Sequence, residues 1–371
     1  MKKRTGMILG SMMAVTMLTG CVGTPVVYNS CNCTCTCQNG GTAAVVETAE
    51  AAVEESAVQE TAEAADGALK TGLAVVVSLA DSASADGENE GVAKYDVTVA
   101  AVNVDDNGVI QSCLIDSVPA SVSFDAEGVI TSDLEAEILT KNELGENYGM
   151  KAYGGAKYEW NEQIAALAEY AEGRTLDELK NGAVNEAGKA ADVDLASTAT
   201  IYLGGYVSAI EEAVNQAQHL GAKMGDELRL ATISSLGSTT AADAENAGNA
   251  QLDVDVTALT VNGGVITSCY IDSVQAKVAF DNTGAITSDL EAEVLTKNEL
   301  GENYGMKMYA GSAYEWNEQA ASFAAYVTGK TADEVAGIAV NEKTAPTEAD
   351  LASSVTIAVG GFQALIEKAA K

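Results

Sequence analysis

Two short runs near the ends of the two halves of this chain carry residue types that suit one kind of chemistry. They are Asp194-Leu195-Ala196-Ser197-Thr198-Ala199-Thr200 and Asp350-Leu351-Ala352-Ser353-Ser354-Val355-Thr356. Each is followed by an isoleucine, two further residues, a Gly-Gly pair and an amphipathic run with helical spacing. An acidic side chain, small neighbours and a terminal hydroxyl ahead of a helix N-terminus make a seat for a phosphate ester. The small residues Ser197, Ala199 and Ser353 let a phosphorus atom reach the oxygen of Thr200 or Thr356. Backbone N–H groups at the Gly204-Gly205 and Gly360-Gly361 turns would stabilise the remaining charge. The same spacing has a plainer use, because Ser or Thr before a helix also caps it. Asp194 and Asp350 complete the two candidate sites.

The elements that must position these runs come from a tandem duplication. Residues 132–151 read SDLEAEILTKNELGENYGMK, and residues 288–307 repeat them with only Ile138 exchanged, for Val294. The same offset of 156 relates Cys113 to Cys269, Trp160 to Trp316 and Thr200 to Thr356. Each unit suits one complete domain rather than a solenoid repeat. Within a unit the strands come first. The alternation predicts strands over 96–104, 109–115, 118–124 and 129–139, with Asn107-Gly108 as a hairpin turn and Asp125-Ala126-Glu127-Gly128 as a second turn. Helices follow over 160–172, ended by Gly173, after a capping box at Thr175-Leu176-Asp177-Glu178 and its twin at Thr331, and over 206–217. Antiparallel strands followed by segregated helices predict an α+β fold in two tandem copies. The domains are placed at 70–222 and 223–371, with the boundary near Gly221 to Gly225.

Composition limits what such domains could serve. The chain has 371 residues, 47% of them apolar, and a formal net charge of −34. No basic stripe exists to neutralise phosphates, so nucleic-acid binding is excluded. The acidity suits solubility at a crowded exterior and repels anionic lipid headgroups. The N-terminus reads as a processing signal over 1–20. Lys2, Lys3 and Arg4 precede a short apolar run, and Leu18-Thr19-Gly20-Cys21 looks like a bacterial lipobox. Cys21 is then the lipidated residue, and two or more acyl chains there give a lasting anchor. Residues 21–69 read as a Cys-rich and then acidic disordered tether, with a mean reach of about 35–40 Å. This places the folded part outside the cytoplasmic membrane.

Of seven cysteines, Cys31, Cys33, Cys35 and Cys37 form a C-x-C-x-C-x-C run. Four thiolates suit a soft metal, and an oxidising exterior suits neighbouring disulfides; the spacing does not choose between them. Cys113 and Cys269, on strands, read as buried thiols. His219 is the single histidine and reads as a solvated linker residue, so c-type haem attachment and any multi-His metal site are excluded.

The lipobox, the tether, the duplicated unit with TKNELGENYGMK and the terminal Asp-x-x-Ser-x-x-Thr together resemble the covalent FMN-binding domain. They resemble in particular the two-domain flavinylated lipoproteins of Gram-positive extracellular electron transfer, which include the pheromone lipoproteins. The resemblance covers nearly the whole chain after Cys21. The commoner motif reads Asp-x-x-Ser/Thr-Gly/Ser-Ala-Thr; the first copy has Thr198 at the Gly/Ser position and the second has Val355 in place of Ala. The resemblance implies FMN-binding-like domains with FMN joined to Thr200 and Thr356 by phosphodiester bonds. A flavin transferase would install it, with FAD as donor and Mg²⁺. It further implies an electron-transfer flavoprotein rather than a substrate-converting enzyme. Electrons would come from a membrane NADH dehydrogenase and its quinone pool and leave to ferric iron or flavin shuttles. The alternative is a surface lipoprotein that binds a ligand or protein partner without a redox cofactor.

By the same resemblance, Asn142, Glu143 and Gly145, with their twins Asn298, Glu299 and Gly301, are the counterpart of a loop that packs against the flavin ring. A duplicated structural turn accounts for the same residues. Trp160 and Trp316 suit either stacking on a flavin or core packing at a helix start.

Overall fold

The computed structural model describes residues 67–371; the expected signal segment, Cys21, the Cys31–Cys37 run and most of the tether lie outside the described residues. Two similar α+β domains follow in tandem. The first is built on β1 (Lys70–Ser78), β2 (Gly91–Val104) and β3 (Ile110–Phe124). After it come α1 (Lys141–Leu144), α2 (Met150–Gly154), α3 (Trp160–Ala171), α4 (Leu176–Gly182), α5 (Val193–Thr198) and α6 (Gly204–Asn215). The second repeats the order with β4 (Glu227–Ser235), β5 (Gly248–Asn262), β6 (Val265–Phe280), α7 (Lys297–Leu300) and α8 (Met306–Ala310). Its last helices are α9 (Trp316–Val327), α10 (Ala332–Ala336), α11 (Ala349–Ala352) and α12 (Gly360–Ala370). Both sheets are antiparallel, in the orders β1-β2-β3 and β4-β5-β6.

The pleat decides what each face meets. Leu73, Val75, Val97, Val99, Ala101, Val118 and Val122 point to one side of the first sheet, into a core shared with Leu228, Val254, Val256, Ala258, Val274 and Val278 of the second. Ala74, Ala100, Val102, Cys113 and Ile115 point to the other side, against α3 and α6. The result is helices, sheet, sheet, helices: each domain closes a core between its own sheet and helices, and the two sheets enclose a third core between them. Phe124 and Phe280 stack at the centre, ring centroids 4.0 Å apart and planes 5° from parallel. Gly91 and Gly248 lie opposite those rings in the ladders, where a Cβ would stand 2.2 and 2.4 Å from ring carbons. The arrangement is reciprocal: Ala85 donates its N–H to Gly284 O at 2.8 Å, and Ala242 donates to Gly128 O at 3.0 Å.

Several expectations are corrected. The strands expected over 109–115 and 118–124 are one, β3. Pro119 does not break it, because β3 is an edge strand. Cys113, of the same parity, directs its N–H away from β2 to Glu172 Oε1 at 3.3 Å, so a missing N–H on that side costs no ladder bond. The strand expected over 129–139 is absent apart from a bridge between Phe124 and Ile130. Ser132 Oγ accepts the Ser123 N–H at 2.7 Å, and Asp133 Oδ1 accepts the Glu135 N–H at 3.0 Å. These local bonds displace a ladder, while Leu134 and Ile138 still pack on the shared core. β1 and β4 were not expected: Leu73 to Val77 is uninterruptedly apolar, so it has no alternation to read. Finally, the first hairpin turn is one residue longer than the second. Asp105 Oδ1 accepts from Asn107 and Val109, whereas Gly263 and Gly264 make the second turn at φ 58 and 84. The repeat offset is therefore 157 before the hairpin, as from Asp96 to Asp253, and 156 after it.

Candidate functional site

Thr200 and Thr356 are exposed, each in the segment between a short helix and a long one. What fixes them is a buried glutamine on the preceding long helix. Gln163 Oε1 accepts from Thr200 N at 2.8 Å, Thr200 Oγ1 at 3.2 Å and Ile201 N at 3.2 Å. Gln319 Oε1 accepts from Thr356 N at 2.8 Å, Thr356 Oγ1 at 3.1 Å and Ile357 N at 3.2 Å. The amide nitrogen of each donates to a carbonyl, Tyr158 O or Tyr314 O, at 3.0 Å, which sets its orientation. Both glutamines are wholly buried, so each exposed threonine is held from beneath, its hydroxyl bonded to the glutamine oxygen.

The cap reading of the motif does not describe these residues. In the first domain α5 is capped by Asp192, whose Oδ1 accepts from Asp194 N and Leu195 N. Asp194 sits exposed in the first turn. Ser197 Oγ and Ser353 Oγ each donate to the carbonyl three residues back, Asp194 O and Asp350 O, at 2.7 Å. The helices that follow, α6 and α12, have Leu203 and Val359 at their N-cap positions and so no side-chain cap. The N–H groups of Gly205, Tyr206, Gly361 and Phe362 take no acceptor among the described residues.

Beside Thr200 lies a cleft of roughly 590 Å³, lined by Asp96, Lys141, Tyr148, Trp160, Tyr202 and Tyr206 among others. Trp160 is 3% exposed and donates its indole N–H to Tyr206 Oη at 3.0 Å, so it is chiefly a core residue with one edge on the cleft. Lys141 lies between the rings of Tyr148 and Trp160, 5.5 and 5.3 Å from their centroids, and meets Asp96 Oδ1 at 3.1 Å. Burial works against its charge, but Tyr206, Asp96 and Tyr148 outweigh that and hold the ammonium above its usual range. Lys297 repeats the arrangement, 5.4 Å from the Tyr304 ring centroid and 4.9 Å from that of Trp316, but burial pushes it down despite Asp255 and Asp253.

The loop residues serve positions nearer the domain junction. Glu143 closes a capping box with Thr140, and its other carboxylate oxygen meets Lys368 of the second domain at 2.6 Å. Asn142 donates its side-chain amide to Ile115 O at 2.9 Å, as Asn298 does to Ile271 O at 2.9 Å. Gly145 and Gly301 end α1 and α7 at φ 51 and 49. Of this loop it is Lys141, the residue before Asn142, that reaches the cleft. Gln163 and Lys141 were both passed over in the sequence. Lys141 lies in the repeat at 132–151, and Gln163 shares the 156 offset with Gln319; for Gln163, a polar residue kept at that offset among apolar helix positions is the available signal.

Cys113 and Cys269 are buried and burial pushes both thiols up to about 12. Among the described residues no group of three or more His, Cys, Asp or Glu is placed to hold a metal ion, and no helix is long and apolar enough to cross a membrane. No family model matches the chain, and comparison with curated proteins and with solved structures likewise finds no match.

Proposed function

We propose that this protein is a membrane-anchored extracellular electron carrier with FMN joined covalently to Thr200 and Thr356. The observation that carries the reading is the repeated one: a buried glutamine holds an exposed threonine beside an uncapped helix start, at both positions the motif singles out. The cleft beside Thr200 tests the fit. It is within the size range of cofactor pockets, aromatic on its walls and cationic at one point. Gly205 faces open space, so nothing crowds a group at the helix start.

In this reading Gln163 and Gln319 fix the threonine oxygens. The free N–H groups of Gly205 and Tyr206 bind the phosphodiester. Tyr148, Trp160 and Tyr206 orient the ring, and Lys141 offers it a positive charge. Bound FMN supplies chemistry no side chain here can, accepting electrons in pairs and releasing them singly. A flavin transferase using FAD and Mg²⁺ is the partner for attachment. A lipid on Cys21 is the anchor, a membrane NADH dehydrogenase with its quinone pool the electron source, and ferric iron or flavin shuttles the acceptors.

Incubating the full chain with FAD, Mg²⁺ and an active flavin transferase tests this. A mass gain of two FMN units is expected, reduced to one by Thr200→Ala or Thr356→Ala and abolished by both. Unchanged mass, while a control domain is modified in the same tube, overturns the carrier and leaves a cofactor-free binding lipoprotein.

A further inference from the structure

The two candidate sites are built from matched residues, and the mismatches fall where charge matters. Aligning the ladders brings Thr98 of β2 onto Asp255 of β5, and Asp96 onto Asp253. Lys141 therefore shares its cleft with one carboxylate of β2, whereas Lys297 has two carboxylates of β5 nearby. The second of these lies at the start of α12. A Cβ built on Gly361 would stand 3.3 Å from Asp255 Oδ2, while one built on its twin Gly205 meets nothing within 4 Å. A carboxylate thus lies beside the first turn of the helix ahead of which Thr356 sits, close to its free N–H groups though bonded to none of them. Cations differ in the opposite sense. Lys189 Nζ donates to Thr200 O at 3.0 Å, and its counterpart is Ala345. Lys343, in the same turn, makes no bond to Thr356. Burial pushes the Asp255 carboxyl up, while Ser273 and the Lys297 ammonium act in the opposite direction.

We infer that Asp255 makes Thr356 the slower of the two threonines to be flavinylated, so that the chain fills its first domain before its second. This rests on the flavoprotein reading above. In the step concerned, the Thr Oγ–phosphorus bond forms as the pyrophosphate bond of FAD breaks. AMP leaves with the bridging oxygen, and the hydroxyl proton passes to the buffer. The product phosphodiester keeps one negative charge, which meets Lys189 and a free helix start at Thr200 but the Asp255 carboxylate at Thr356. One extra like charge at a few ångströms, partly screened, slows such a step on the order of tenfold.

Site-resolved peptide mass spectrometry over a time course of the full chain with FAD, Mg²⁺ and flavin transferase reads the two occupancies separately. Thr200 should fill first. The Val355 and Thr198 departures in the motif could also separate the rates, so variants away from the motif decide. Asp255→Thr copies the first domain and should bring the Thr356 rate up toward that of Thr200. Asp255→Asn keeps the shape and should do the same if folding is a concern. Thr98→Asp should slow Thr200. Both threonines filling at one rate, or a rate gap indifferent to all three substitutions, overturns this inference and leaves the flavoprotein reading standing. No FMN at either threonine, with a control domain modified, overturns both.

Discussion

Glu143 and Glu299 are the same residue in the same capping box, and they live in opposite electrostatic surroundings. Glu143 meets Lys368 across the domain junction at 2.6 Å, and that neighbour helps hold its carboxyl below the usual range although burial opposes it. Glu299 meets Glu212, the residue at the equivalent place on α6, with the Gln216 amide 3.1 and 3.4 Å from the two carboxylates. Burial, then Glu299, pushes Glu212 up to about 7. The local sequence of each glutamate is identical, so nothing within its own domain creates the difference. It comes from the other domain, through a reciprocal arrangement that brings the C-terminal end of α12 to the first copy and that of α6 to the second. A duplication preserves a motif, and the junction then assigns each copy its charge partner.

The comparison requires the core between the two sheets to couple the domains, and the largest expected effect tests that. Phe280→Ala should cost about 3–5 kcal/mol, and Phe124→Ala a similar amount, because the two rings pack on each other. Chemical denaturation should show one transition in either variant. Two transitions, with only the mutated half weakened, would mean that each domain folds on its own core and that the junction is incidental.

A smaller effect sharpens the contrast at the candidate sites. Thr344 stands where the first domain has Gly188, and it holds φ 58, in the left-handed region that a β-branched side chain disfavours. Thr344→Gly should stabilise the chain by about 1 kcal/mol. The reverse exchange, Gly188→Thr, should destabilise it more strongly, since a Cβ there would stand 2.0 Å from the Tyr202 ring. Equal and opposite effects on denaturation midpoints would show that the turns are interchangeable.

The smallest effect concerns pH. A carboxyl raised from 4.5 to about 7 binds more protons in the folded state than in the unfolded one. Stability is therefore greatest below pH 4.5 for this group and declines as pH rises through 7. Glu212→Lys supplies the second copy with the cation that Lys368 gives the first. The exchange should flatten that decline between pH 4.5 and 7 and raise stability near pH 7.5 by about 0.5–1 kcal/mol. A melting-temperature profile unchanged by the substitution would remove Glu212 as the cause. Asp272, which burial also pushes up to about 7, would be the remaining candidate.

The chain by itself determined the duplication, the α+β order of strands before helices, the capping boxes at Thr175 and Thr331 and the two threonines worth testing. These follow from patterns local in sequence: alternation, helical spacing, turn residues and one repeat offset. It did not disclose β1, whose apolar run has no period: Leu73 and Val75 face the sheet-to-sheet core, Ala74 the helices, and Val76 the cleft. It also misdirected 129–139, where Ser132 and Asp133 take backbone N–H groups that a strand would have used. Only the tertiary structure decided that Gln163 and Gln319 anchor the threonines, across 37 residues of chain. It alone placed Asp255 at the start of α12, and it alone assigned Lys368 to Glu143 and Glu212 to Glu299. Those are contacts between groups distant in sequence, and a side chain's charge environment is set by whatever packing brings within a few ångströms of it.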